Sequence, residues 1–179
     1  ILSRHSAVDF VAKGEGLLTI EALLLVNSLR SETELLNVPG LVFRTSGYLQ
    51  ANGQDNIHIN APARLIAQGE LDTVLPGIAY DLLPIEKYRT SLWHSYSNNA
   101  IRQSFMSIYT SLNCPYNCNF CCISAPFGNP GYKTWSVNHV LNELYKCAQL
   151  GIVNIKIADE LFVLKPDHFL GICAGIIAR

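Results

Sequence analysis

The chain has 179 residues, of which 49% are hydrophobic and 15% charged, and its formal net charge is -1. This is ordinary globular composition for one domain or parts of two, with no Lys/Arg run suited to nucleic acid and no acidic tail. The longest apolar run, Ala22 to Val26, falls far short of the about 20 residues that a membrane span requires.

The predicted elements begin with a strand in AVDFVA (residues 7 to 12) and a glycine-rich turn, GEG. A buried helix follows in LLTIEALLLVNSLR. VPGLVFRTSGYLQANG then reads as a hairpin about Ser46-Gly47, with a second turn signal at Asn52-Gly53. Residues 54–103 lack clear periodicity and carry prolines at 62, 76 and 84, so this region reads as a connector. SFMSIYTSL, from residue 104, reads as a strand and runs into a loop rich in Asn, Pro and Gly. Ser136 then caps a helix whose apolar positions Val137, Val140, Leu141, Leu144 and Ala148 follow the 3.6 period, and Gly151 stops it. IVNIKIA alternates as a strand, with Asp159 and Glu160 at its carboxyl end. A helix opening near Pro166 completes the pattern, and the chain is expected to stop in mid-fold at Arg179.

Strand, loop, helix and strand make a βαβ unit with parallel strands and a right-handed crossover. Ligands gather at the carboxyl ends of such strands. The loop after the first strand and the acids after the second should therefore face one mouth.

Four of the six cysteines lie in that loop, within SLNCPYNCNFCC. Their concentration in one loop, rather than in a spread framework, points to reduced thiols and a cytoplasmic setting. Cys114, Cys118 and Cys121 are spaced C-x3-C-x2-C, and Pro115, Asn117 and Asn119 disfavour a helix that would align them as core residues. Structural zinc needs four ligands, whereas Cys122 is adjacent to Cys121 and Cys147 and Cys173 stand alone on predicted helices. Three thiolates would hold three irons of a [4Fe-4S] cubane and leave the fourth open to a small molecule. An electron-transfer iron-sulfur module would want a fourth thiolate, for which Cys122 is nearest.

CPYNCNFC resembles the cluster loop of the radical S-adenosylmethionine (SAM) superfamily, including an aromatic residue before the last cysteine. VDFVAKGEGLLTIEALL, the PGLVFR hairpin and AYDLLPIEKY extend the resemblance to its cobalamin-binding branch. The resemblance implies an α/β protein. Residues 1–50 would be the end of a doubly wound cobalamin-binding-like domain, 51–103 a connector, and 104–179 the first βα units of a partial TIM-like barrel. It implies that Cys114, Cys118 and Cys121 ligate a [4Fe-4S] cluster, that Phe120 lies near the SAM adenine, and that Asp159 or Glu160 meets the SAM amino group. The implied activity is reductive cleavage of SAM to a 5′-deoxyadenosyl radical, with methyl transfer as one outcome in the cobalamin branch. Implied partners are SAM, a further substrate and a reductant such as flavodoxin or ferredoxin, with neither nucleic acid nor membrane. Two departures stand out. The turn Ala158-Asp159-Glu160 lacks the family's two glycines, and no Asp-x-His-x-x-Gly stretch is present to supply a cobalamin ligand.

Overall fold

The computed structural model describes residues 1–45, 56–89, 103–123 and 131–178. They form two compact units: Ile1–Ile66 with Asn119–Asn129, and Ala67–Cys118 with Pro130–Arg179. The result is a mixed α/β fold with both parallel and antiparallel pairing.

In the first unit, β1 (Phe10–Ala12) precedes α1 (Leu17–Leu24) and α2 (Glu32–Leu35), and β2 (Leu41–Arg44) and β3 (Ile57–Ile59) follow. The three strands form one antiparallel sheet with β2 in the centre. Over these residues the pairing is a local antiparallel meander. The hairpin about β2 is present, but its return strand is β3, paired as Val42↔Ile59 and Arg44↔Ile57. Both turn signals, at 46–47 and 52–53, lie outside the described residues.

Gly14-Glu15-Gly16 is a plain strand-to-helix turn. Both glycines have left-handed φ values, +93° and +76°, and the Glu15 carboxylate accepts the Ile66 N–H at 2.8 Å. Helix α1 is shorter than its apolar pattern predicts. Asn27 and Ser28 explain the break, since such side chains offer the backbone alternatives to helical bonding. The Asn27 N–H donates to Glu34 Oε2 at 2.6 Å, the Arg30 N–H donates to Ser28 Oγ at 3.2 Å, and Ser31 then caps α2. Leu35, Val38, Leu41 and Phe43 form the buried core, against which Phe10, Ala22, Leu23 and Val26 pack.

The second unit opens with α3 (Leu71–Val74) and two single 3-10 turns, Tyr80–Leu82 and Ile85–Lys87. Then come β4 (Phe105–Ile108), β5 (Ser111–Leu112), β6 (Lys133–Thr134), α4 (Val137–Gln149), β7 (Asn154–Ile157) and α5 (Pro166–Ile177). Strands β4 and β7 pair in parallel, Met106 with Ile155 and Ile108 with Ile157, as a βαβ unit requires. The Ser136 hydroxyl accepts the His139 N–H at 3.1 Å, and Gly151 turns the chain after α4 with φ +69°.

Met106, Ile108, Cys147, Ile152 and Tyr80 make the buried core between strands and helix. Cys147 acts there as a small hydrophobe, with its sulfur 3.2 Å from the Tyr80 hydroxyl, and burial pushes its thiol above the usual range. Cys173, by contrast, is exposed on α5. The buried Glu143 carboxylate is satisfied by the Ile78 N–H at 3.1 Å and by Lys146 Nζ at 2.8 Å, which ties the segment before Tyr80 to α4. No helix among the described residues is long and apolar enough to cross a membrane.

Candidate functional site

The cysteine loop grows from the carboxyl end of β4. Residues 111 and 112 pair with 134 and 133 as the β5–β6 ladder, and the Trp135 N–H donates to the Thr110 carbonyl at 3.1 Å. The two ends of the loop are therefore pinned side by side. Its exit is held further by Gln68, which accepts the Thr134 N–H at 3.0 Å, and by Asp72, which accepts the Ser136 N–H at 2.9 Å. Trp135 itself donates from Nε1 to the Leu75 carbonyl at 3.0 Å.

Asn113 turns the chain into Cys114 with φ +67°, a left-handed conformation that asparagine tolerates better than most residues. No helix forms over residues 113–123, in keeping with their turn chemistry. Cys114 is half-buried, whereas Cys118, Cys121 and Cys122 are exposed, and none is in a disulfide. Phe120 is also exposed. Cys114 and Cys118 belong to the second unit, while Phe120 and Cys121 are grouped with the first. Among the described residues, no three His, Cys, Asp or Glu side chains are drawn together as a metal-holding group.

The donor set itself suits an iron-sulfur cluster: three soft, unpaired thiols, at least two of them open to an incoming group. Beside them, the buried Nδ2 of Asn113 has no partner among the described residues. Such a stranded donor is uncommon in folded proteins.

The acids after β7 divide into two environments. Asp159 reaches across to the end of β4, where its Oδ1 accepts the Thr110 N–H at 2.7 Å. Its Oδ2 accepts the Thr110 hydroxyl at 2.5 Å and the Ser111 hydroxyl at 2.7 Å. Residues 48 and 49 positions apart in sequence are thus neighbours, and the two strand ends do face one mouth. Glu160 is exposed and makes no hydrogen bond among the described residues.

Sequence reasoning had no role for Thr110, Ser111 or His168. Thr110 and Ser111 are fully buried, and His168 on α5 places Nε2 3.3 Å from the Thr110 hydroxyl. Because that hydroxyl donates to Asp159, its lone pair is open to a proton from Nε2. A Thr-Ser pair at a strand end is a weak signal, and His168 inside a helical pattern gives none.

Burial lowers the His168 pKa below 6.5, opposed by the nearby Asp159 charge. A base whose folded pKa is depressed binds fewer protons folded than unfolded, so stability falls as pH drops below about 6.5. Replacing His168 with Gln should flatten this acid limb. Melting temperatures of parent and variant between pH 7 and pH 5 measure it, and equal slopes would remove His168 as the cause.

A cavity of about 720 Å³ lies between the later turns of α4 and α5, lined by Leu141, Tyr145, Ala148 and Ile176 among others.

No family model matches the chain. An uncharacterized methyltransferase of Pyrococcus horikoshii is 32% identical over 173 residues, covering 94% of this chain and 32% of that protein. Among solved structures, the radical SAM methyltransferase TsrM from Kitasatospora setae, with cobalamin and a [4Fe-4S] cluster bound, superposes with a TM-score of 0.60 at 17% identity. That match covers 99% of this chain and 31% of TsrM. The cobalamin-dependent SAM radical enzyme OxsB, in its apo form, gives a TM-score of 0.62 at 20% identity over 95% of this chain and 21% of its own. The fold is shared with these segments. The chain spans about a third or less of each protein's length.

Proposed function

We propose that the chain is part of a radical SAM enzyme in which Cys114, Cys118 and Cys121 ligate a [4Fe-4S] cluster. The observation that carries this reading is the C-x3-C-x2-C loop rooted at the end of β4 and tied by Asp159 to the end of β7. That solved radical SAM enzymes share the fold supports it, as does the similarity to an uncharacterized methyltransferase. The chemistry supplied when the cluster is bound is one-electron reduction of the SAM sulfonium, which yields methionine and a 5′-deoxyadenosyl radical.

The chain's own residues have simpler tasks. The three thiolates would hold the cluster and leave it able to take the SAM amine and carboxylate. Glu160, exposed at the same mouth, offers its carboxylate to the SAM ammonium. Phe120 lends backbone and ring to the adenine side. Asp159 is already engaged by three donors of its own chain, which makes Glu160 the better contact. A reductant of the flavodoxin or ferredoxin type delivers the electron.

Methyl transfer through cobalamin is the outcome favoured by the relative and the structural neighbours. No stretch of this chain matches the branch's cobalamin-ligand pattern, so the steps above use none of its chemistry. The test is anaerobic reconstitution with iron and sulfide, followed by iron analysis and spectra of the reduced protein with and without SAM. About four irons and a SAM-sensitive spectrum are expected. A SAM-insensitive cluster would favour an electron-transfer module, and zinc in place of iron a structural metal domain.

A further inference from the structure

We propose that Asp159 is a positioning residue that holds the root of the cysteine loop, and that with Thr110, Ser111 and His168 it governs how firmly the cluster is retained. This rests on the cluster reading above and assigns Asp159 a different role from that of a SAM contact.

The carboxylate accepts three hydrogen bonds at 2.5–2.7 Å, all from Thr110 and Ser111. Both residues are fully buried, so their donors have no water to fall back on. Thr110 also accepts the Trp135 N–H on its carbonyl, and Ser111 pairs with Thr134 in the ladder. One carboxylate therefore fixes the entry strand, and through it the exit strand, three residues before Cys114. His168 approaches the Thr110 hydroxyl from α5 and completes a chain of contacts from helix to loop root. Every lone-pair direction used by Asp159 points at its own chain, which leaves little capacity for a ligand. Charge-assisted bonds of this kind are the stronger ones in proteins, so their loss should be felt where the loop is most exposed.

An amide cannot replace this carboxylate. Asp159→Asn keeps one acceptor oxygen and turns its amide NH2 toward either the Thr110 N–H or the two hydroxyls, so at least one of the three bonds is lost in either orientation. Thr110→Val removes only the hydroxyl, and Thr110→Ser restores it on a smaller side chain.

The experiment uses the reconstituted chain challenged anaerobically with an iron chelator, with SAM affinity measured separately on the fraction still loaded. Asp159→Asn and Thr110→Val should release iron about tenfold faster than the parent, the scale of one lost charge-assisted hydrogen bond. Thr110→Ser should release iron at the parental rate. SAM affinity per loaded cluster should be unchanged in all three. Parental release rates in both Asp159→Asn and Thr110→Val overturn the proposal. So does weakened SAM binding with normal iron retention in Asp159→Asn, which would make Asp159 a ligand contact. If Asp159→Asn does not fold, the Thr110→Val and Thr110→Ser pair decides by the same criterion. A parent that takes up no iron removes the cluster reading itself, and this proposal with it.

Discussion

Replacing Cys114, Cys118 or Cys121 by alanine, one at a time, should abolish stable iron uptake, whereas Cys122→Ala should take up the parental amount. The cause is ligand count. A cubane held by three thiolates keeps one iron open, and removing a thiolate leaves a second iron without protein support. Cys122 follows directly on Cys121, and adjacent side chains in an irregular loop project in different directions. Its thiol is exposed and is expected to be spare. Cys147→Ala and Cys173→Ala should also keep the cluster, since Cys147 is sealed in the core and Cys173 lies on α5. Iron and sulfide analysis after anaerobic reconstitution reads this directly. Loss of iron with Cys122→Ala would count against the three-thiolate assignment and favour a four-thiolate electron carrier.

Glu160→Gln should weaken SAM binding by about 10- to 150-fold while iron content stays parental, the range expected for losing a charge-assisted hydrogen bond. The effect falls on affinity because an exposed carboxylate with no bond to its own chain has nothing structural to lose. Equilibrium binding of SAM to the reconstituted variant measures it. Parental affinity in Glu160→Gln would return this residue to an ordinary solvated strand end.

The βαβ unit was legible because its signals agree across levels. The alternation in IVNIKIA, the Ser136 cap, the apolar stripe of α4 and the Gly151 stop all point to β4 and β7 as parallel neighbours. Topology then brought Asp159 to the loop root, as the strand ends required. The division of labour between Asp159 and Glu160 was not legible. Two adjacent acids look alike in a sequence, and only the buried hydroxyls of Thr110 and Ser111 distinguish them.

The first unit was harder to read for a different reason. The apolar density of LLTIEALLLVNSLR favours a long helix, yet local bonds from Asn27 and Ser28 end it early. Among the described residues the antiparallel partner of β2 on its later side is Ile57–Ile59, and both turn signals lie outside the described residues. His168 gave no warning at all. Its burial arises from tertiary packing of α5, which helical periodicity does not encode.

The most direct measurement is electron paramagnetic resonance of the reduced, reconstituted protein before and after addition of SAM. The account predicts a reduced [4Fe-4S] signal whose g-values shift when SAM occupies the open iron, with the shift strongly diminished in Glu160→Gln at subsaturating SAM. A reduced cluster whose spectrum is identical with and without saturating SAM would contradict it.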